Sequence, residues 1–487
     1  MSLGTLRRRG AGTEDGKQAL EAKWDVIVIG AGNAGIVAAM SARDQGARVL
    51  VLERATKTFR GGNSRHTRNC RCVHDGNDDW NTGPYTYDEL WKDLCGVGTG
   101  PSNEELAALT VEQSETAPYW MIEHGASFQP ALAGTLHLGR TNSFFLGGGK
   151  ALINSYHQRA ANEGIRVVYE ADVEELVLDG DKCEGVIVKH GGNSYLTRAS
   201  AVVCAAGGFE GNIEWLKRYW GDAAENYHIR GPATNDGHIL RKLLDAGAES
   251  AGEERGFHSI AVDARSPKFD GGIATRVDAI PFGIVVNNKG QRFYDEGEDL
   301  WPKRYAIWGR NLAEQPDQIG FILWDSKVQG RFLPPMYGEI SAPTIEELVE
   351  KVGFGLNGKA AVKTVAQYNK AAPEDGPERF DPAQLDGVVA KGRLKVPKSN
   401  WALRVDTPPY YAVPVRTGVT FTYLGVAVDT QAHVQRVDGT GFTNVFAAGE
   451  LMSGNILSTG YLAGFGMTIG TVWGRIAGKE AAAHALG

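Results

Sequence analysis

The sequence is poor in everything that would staple or anchor a chain. Only five of 487 residues are cysteine: Cys70, Cys72, Cys95, Cys183 and Cys204. None forms a Cys-x-x-Cys pair and no His/Cys cluster has zinc spacing, so neither a disulfide framework nor a metal site is expected. Reduced thiols of this kind point to the cytoplasm. No stretch approaches the run of about 18 apolar residues that a membrane helix needs, so no direct membrane insertion is expected. Arg7–Arg9 are basic but no apolar segment follows them, so a secretory signal is not expected either. Positive charge is also in short supply. Lys and Arg number 51 against 58 Asp and Glu, a balance of −7, which disfavours nucleic acid as a partner.

Glycine, in contrast, fills 63 positions, nearly twice the usual share of about 7%. Such density implies many places where backbone turns sharply or approaches something closely. The length predicts two or three domains on a prior of roughly 100–200 residues each. A composition of 42% hydrophobic and 22% charged residues excludes wholesale disorder.

The glycines fall where chemistry would use them. Residues 24–30, Trp-Asp-Val-Ile-Val-Ile-Gly, read as a buried parallel strand. The strand runs into Gly30-Ala-Gly32-Asn33-Ala34-Gly35, then a small-residue helix from Ile36 to Gln45, then an apolar run from Arg48 that ends in Glu53. Strand, glycines, helix, strand and acid in that order form a dinucleotide fingerprint. Gly30 permits the tight turn, Gly32 lets a pyrophosphate approach, and Gly35 lets helix and strand pack closely. The helix N-terminus offers N–H groups to the phosphates. Glu53 would accept hydrogen bonds from ribose hydroxyls. The motif alone leaves FAD and NAD both open, but no second G-x-G-x-x-G occurs, which argues against a built-in NAD(P)H site.

Two more buried strands end in glycine turns, at Ala-Ala206-Gly207-Gly208 and at Ala-Ala-Gly449-Glu450. With Gly61-Gly62-Asn63-Ser64 and Gly-Arg475-Ile-Ala-Gly478, their order resembles the fumarate reductase/succinate dehydrogenase flavoprotein family over nearly the whole chain. The resemblance implies FAD, held non-covalently. It also implies an α/β fold: a split Rossmann-like, three-layer FAD-binding domain with an accessory β-meander, plus an inserted α+β capping domain. The expected boundaries are 1–22 for a flexible leader, 23–238 for the first part of the FAD domain, 239–395 for the cap, and 396–487 for the second part. Besides the fingerprint residues, Arg54, the run Gly61–Ser64, Val173, Ala206–Gly208, Gly449, Glu450, Gly464 and Gly466 are implied as FAD-binding. A helix is predicted over Lys150–Glu163, a meander of short strands over residues 166–199, and a closing helix from about Gly464 to Ala485. The glycine-rich start of that last helix would bring N–H groups and a favourable dipole to the flavin.

For catalysis the family implies hydride transfer to the flavin from a carbon beside an electron-withdrawing group, with a protein group handling the proton. Arg304 is the candidate for that group, and Arg292 is read as structural. The carboxylate-gripping His and Arg of plain fumarate reductases are replaced here by Thr422-Tyr423-Leu-Gly and Gly460-Tyr461-Leu-Ala. Gly-Asn-Ser-Arg65-His66-Thr-Arg68 resembles instead the tricarballylate dehydrogenase-like subgroup, which implies a polycarboxylate substrate, with His66, Arg65 and Arg68 as a replacement anion clamp. A second reading takes Tyr461 and Tyr423 as the polarising and proton-accepting pair of a 3-ketosteroid-type dehydrogenase. A third is a flavoprotein subunit that passes electrons to an external acceptor such as a membrane iron–sulfur partner.

Overall fold

Val26–Ile29 and Val49–Leu52 are apolar at every position and buried, which suits only strands covered on both faces. In the computed structural model, which describes residues 11–130, 138–374, 381, 384–392 and 394–487, they pair in parallel register from Val26↔Val49 to Ile29↔Leu52. They form the middle of an eight-stranded sheet. Its main path runs His433–Gln435, Gly441–Ala447, Asn193–Cys204, Lys23–Ile29, Val49–Glu53, Arg166–Tyr169. The parallel strands Lys23–Ile29, Val49–Glu53, Asn193–Cys204 and Gly441–Ala447 all end at one edge. That edge is where ligands bind in open α/β sheets.

The meander is present as Asp172–Asp179, Lys182–His190 and the first half of Asn193–Cys204, joined antiparallel. Sequence reading had split the last of these at Ala199. Only Ser200 lies between Ser194–Ala199 and Ala201–Cys204, and the chain continues through it as one 12-residue strand whose second half enters the parallel sheet.

A second, six-stranded sheet is built on the 13-residue strand Tyr410–Thr422. Ile319–Asp325 and Phe257–Asp263 flank it antiparallel, and His228–Ile229 joins it parallel at Gly418 and Val419. This sheet draws on residues from both sides of the expected cap. Residues 228–229 precede its expected start at 239, and Tyr410–Thr422 follows its expected end at 395. The expected flexible leader also changes. Residues 1–10 lie outside the described part, but Ala11–Glu21 is a helix. Ala19 and Leu20 are buried, the Leu20 carbonyl accepts from Thr197 Oγ1 at 2.8 Å, and the Ala19 carbonyl accepts from Trp24 Nε1 at 2.8 Å. Sequence reading had no way to see the surface on which the helix docks. Among the described residues, no helix is long and apolar enough to cross a membrane.

The predicted helices over 36–45, 150–163 and 464–485 appear as Asn33–Asp44, Gly148–Asn162 and Phe465–Leu486. The last packs on the first through glycines spaced four apart, as the ridge-and-groove geometry of helices requires. A Cβ at Gly474 would lie 2.7 Å from the Ala34 carbonyl oxygen, and one at Gly478 would lie 2.2 Å from that of Ala38. Backbone cannot move aside cheaply, so Gly478→Val should destabilise the fold by at least about 2 kcal/mol. A lowered thermal midpoint is expected, and an unchanged midpoint would contradict this packing.

Candidate active site

Gly30 leaves the first strand with φ +99°, and a Cβ there would meet the Ala205 carbonyl oxygen at 2.5 Å. Only glycine makes this turn, and it sends the chain into helix Asn33–Asp44, whose N-terminus opens on a cavity of about 1230 Å³. The cavity follows the ends of the parallel strands. Gly30, Gly32, Asn33, Ala34, Glu53 and Arg54 line one part, and Gly61, Gly62, Asn63 and Ser64 another. Val173, Ala206, Gly207, Gly449, Glu450, Gly466 and Tyr461 complete the expected set.

Three expected contacts fall elsewhere. Gly35 sits under the turn, where a Cβ would lie 2.0 Å from the Gly30 carbonyl oxygen. Gly208 packs against Thr422 Oγ1 and Glu450 Oε1, at 2.1 and 2.3 Å from a would-be Cβ. Neither lines the cavity, and their task is close packing. Gly464 caps the closing helix with φ +80° and lines a second cavity instead. Sequence reading missed Asn235 and Asp236, both on the wall. Asp236 binds Arg54 at 2.7 Å, and Asp172 lies 3.2 Å from the same guanidinium. The stretch Thr234-Asn-Asp-Gly carries only a turn signal, and nothing local places it at the strand ends.

Polar groups are arranged along this wall. Glu53 accepts from the Ala31 N–H at 3.0 Å and the Ala55 N–H at 2.8 Å, and burial raises its pKa nonetheless. Ser64 Oγ accepts from the Asn33 N–H at 3.0 Å. Asn63 Nδ2 donates to Glu210 Oε1 at 2.6 Å and Glu450 Oε2 at 3.2 Å. Burial, with Glu210 beside it, holds the Glu450 carboxyl well above its usual range, and burial raises Glu210 as well. Two adjoining carboxyls out of water share a proton. Buried Asn33 Oδ1, Asn63 Oδ1 and Glu210 Oε2 have no partner among the described residues. An elongated groove with a helix N-terminus, an acid and unsatisfied polar atoms fits FAD.

The second cavity, about 580 Å³, shares Asn63, Thr67, Thr420 and Tyr461 with the first. Arg68, Arg230 and Arg276 line it, and among the described residues no acid does. Arg276 binds Asp278 at 2.7 Å, and the other Asp278 oxygen accepts from Trp301 Nε1 at 2.8 Å. Arg230 donates to Thr420 Oγ1 at 2.8 Å and the Gly272 carbonyl at 3.2 Å. Arg68 lies 5.6 Å from the Phe144 ring centroid, and one of its terminal nitrogens is buried without a partner. Burial, then the charge of Arg276, lowers Arg68 to about 9 and Arg230 to about 10. Guanidinium groups remain charged at neutral pH, so these shifts register how unfavourable the cluster is without an anion. Asp278, which burial alone would raise, is held below its usual range by Arg276 and Arg68.

The expected catalytic residues divide. Tyr461 stands at the junction of the two cavities, its hydroxyl accepting from the Gly466 N–H at 3.0 Å and its ring stacked on His258 at 3.8 Å. His66 lines the second cavity. Arg304 does not. It is half-buried in helix Trp301–Arg304, 3.4 Å from Glu298, and lines neither cavity. Tyr305, the next residue, faces the cavity in its place. Tyr423 is buried with its hydroxyl donating to the Gly460 carbonyl at 2.9 Å, away from both cavities. Arg65 lies 5.2 Å from the Phe59 ring centroid and is outside the clamp. Arg292 is structural, paired in the core with Glu296. Arg230 and Arg276 were missed because a lone arginine between strands carries no local signal.

A strand-edge groove suited to a dinucleotide, joined to a cation-lined chamber, is the site of a dinucleotide-binding protein. A family model described as FAD binding domain (FAD_binding_2) matches residues 25–466, so the chain belongs to that family and its cofactor is FAD. It is 26% identical over 499 residues to NADH:fumarate oxidoreductase of Klebsiella pneumoniae, covering 98% of this chain and 49% of that protein. The chain thus spans about half the length of that curated relative. A flavocytochrome c3 fumarate reductase structure matches with TM-score 0.74 and 23% identity, over 97% of this chain and 81% of that one. A 3-ketosteroid Δ4-(5α)-dehydrogenase from Rhodococcus jostii matches with TM-score 0.70 and 23% identity, over 95% and 97%. At such identities the structural likenesses show the fold alone.

A Cβ at Gly32 would meet nothing in the protein closer than 3.5 Å. Gly32→Val should therefore fold normally yet lose FAD, with affinity at least about tenfold weaker, roughly 1.4 kcal/mol. Flavin absorbance per protein and circular dichroism check the two halves. Full flavin occupancy in the variant would contradict the groove.

Proposed function

We propose that the chain is an FAD-dependent dehydrogenase that forms a carbon–carbon double bond beside a carboxylate, with a small polycarboxylate such as tricarballylate as substrate. The observation that carries this reading is the cluster of Arg68, Arg230 and Arg276, which shares one carboxylate, Asp278, next to the FAD groove. Two buried positive charges without a carboxylate partner favour an anionic ligand, because a carboxylate would complete their hydrogen bonds and offset their desolvation. An apolar steroid would leave them unpaired. The enone-forming alternative also needs Tyr423, whose hydroxyl is held by Gly460.

Bound FAD supplies the oxidant that accepts a hydride from the substrate. The arginines fix the carboxylate and withdraw charge from the adjoining carbon, so that its proton is more acidic. Tyr461 holds the substrate against the groove and is itself fixed by the Gly466 N–H. The residues that line the groove hold FAD non-covalently, with Glu53 at the ribose and Glu450 near the ribityl chain. Electrons then leave to a separate acceptor, and the chain acts with an external redox partner.

Anaerobic mixing with tricarballylate should bleach the flavin, whereas a 3-ketosteroid should leave it oxidised. Bleaching by the ketone alone would overturn the carboxylate reading. Arg68→Met breaks no hydrogen bond to the described residues, yet removes a charge-assisted contact to the substrate worth about 1.5–3 kcal/mol. Its apparent KM for tricarballylate should rise at least about tenfold, and an unchanged KM would remove Arg68 from the clamp.

A further inference from the structure

His66 and Asp270 form a pair at the rim of the second cavity that anion binding does not require. His66 ends the short turn Gly62–His66, its ring lines the cavity, and its Nε2 lies 2.8 Å from Asp270 Oδ1. With Asp270 accepting from Nε2–H, the other ring nitrogen is left as the base. Room is kept in front of it. Residue 272 is glycine, and a Cβ there would lie only 2.9 Å from Nδ1. The two side chains step outward from the cavity, His66 being 17% exposed and Asp270 45%.

Asp270 is held in place by its backbone. It adopts φ +59°, uncommon for a non-glycine residue. Its N–H donates to the Gly231 carbonyl at 2.8 Å, and the Gly272 N–H donates to that of Arg230 at 2.9 Å. The charges that face the imidazole are Asp270, Arg65 and Arg230. Burial is the largest influence and lowers the pKa of His66; Asp270 opposes it, and the two arginines add to it. The ring is therefore neutral at pH 7 and able to accept a proton. The other proton carriers on the cavity wall lack such a route. His258 is stacked on Tyr461, and burial, then Arg230 and Arg276, hold it well below its usual range. Tyr305 is buried, which raises its hydroxyl despite the arginines around it.

We propose that His66 and Asp270 form the proton relay of the site, resting on the dehydrogenation reading above. One substrate C–H bond breaks toward His66 and gives its proton to Nδ1. The neighbouring C–H bond gives its hydrogen and both electrons, as hydride, to the bound FAD, and the carbon–carbon double bond forms from the pair left behind. The imidazolium, paired with the Asp270 carboxylate, releases a proton to water on the exposed side. His66 touches the substrate cavity, and Asp270 is the positioning residue that orients and stabilises the ring.

Two measurements on the FAD-loaded protein test this. The imidazole C2–H proton signal that vanishes in His66→Gln is followed against pH by NMR. It should titrate in the otherwise native protein, and in Asp270→Asn its midpoint should fall by at least about half a pH unit, because the carboxylate that favours the cation is gone. In parallel, the rate of anaerobic flavin reduction by tricarballylate should rise with pH through that titration. His66→Ala should be at least about tenfold slower, with added imidazole restoring part of the rate. An Asp270→Asn midpoint equal to the native one, or a His66→Ala rate equal to the native rate, would overturn the relay. Reduction that proceeds unchanged in both variants would sink the relay and keep the carboxylate reading. A His66 signal that shifts with Asp270 while no carboxylate reduces the flavin would support the pair and sink that reading.

Discussion

Arg68, Arg230 and Arg276 reach one chamber from three segments of the chain and share a single carboxylate, Asp278. Taking a guanidinium out of water is costly, and gathering three of them is costlier still. Folding alone gives no reason to assemble such a cluster. Its position beside the FAD groove gives one, since a ligand that carries negative charge relieves the cost when it binds. Arg68 follows the loop that contacts the groove, Arg230 follows the short strand His228–Ile229, and Arg276 follows strand Phe257–Asp263. The chamber therefore forms only where the two sheets meet.

The strand Tyr410–Thr422 joins the two halves physically. Its upstream residues pair with Ile319–Asp325 in the second sheet, and its end reaches the groove. There the Thr420 carbonyl accepts from Asn63, Thr420 Oγ1 accepts from Arg230, and Thr422 donates to Glu450 through its N–H at 2.9 Å. One segment thus contacts the flavin loop, the anion cluster and the buried carboxyl pair. Its last residues therefore form part of both cavity walls.

The FAD groove was readable in the sequence because its chemistry is local. Gly30, Gly32, Asn33 and Glu53 lie within one strand–helix–strand unit, where spacing alone dictates geometry. The arginine-lined chamber was not readable in this way. Arg304 follows Gly290–Glu296, the segment that resembles the family's run before its catalytic arginine, yet helix Trp301–Arg304 turns it toward Glu298 and presents Tyr305 to the cavity. A shift of one residue on a helix changes the facing side, and sequence similarity of this strength does not fix that register. Tyr423 was misplaced for a similar reason. It follows a strand end, where one position faces the groove and the next faces the core. His66 and Arg68 were anticipated, but their partners Asp270 and Arg276 lie some 200 residues further on and are brought near only by the second sheet. The same limit applies to helix Ala11–Glu21, whose docking surface is made by strands far along the chain.

The proposed dehydrogenation requires a carboxylate in the arginine chamber beside the flavin. A crystal structure of the FAD-loaded protein with tricarballylate, or with citrate as a ligand resistant to the reaction, tests it most directly. Carboxylate oxygens are expected within hydrogen-bond distance of Arg68 and Arg230, with the carbon chain lying between Tyr461 and His66. An anion bound elsewhere, with the three guanidinium groups turned to one another or to water, would contradict it.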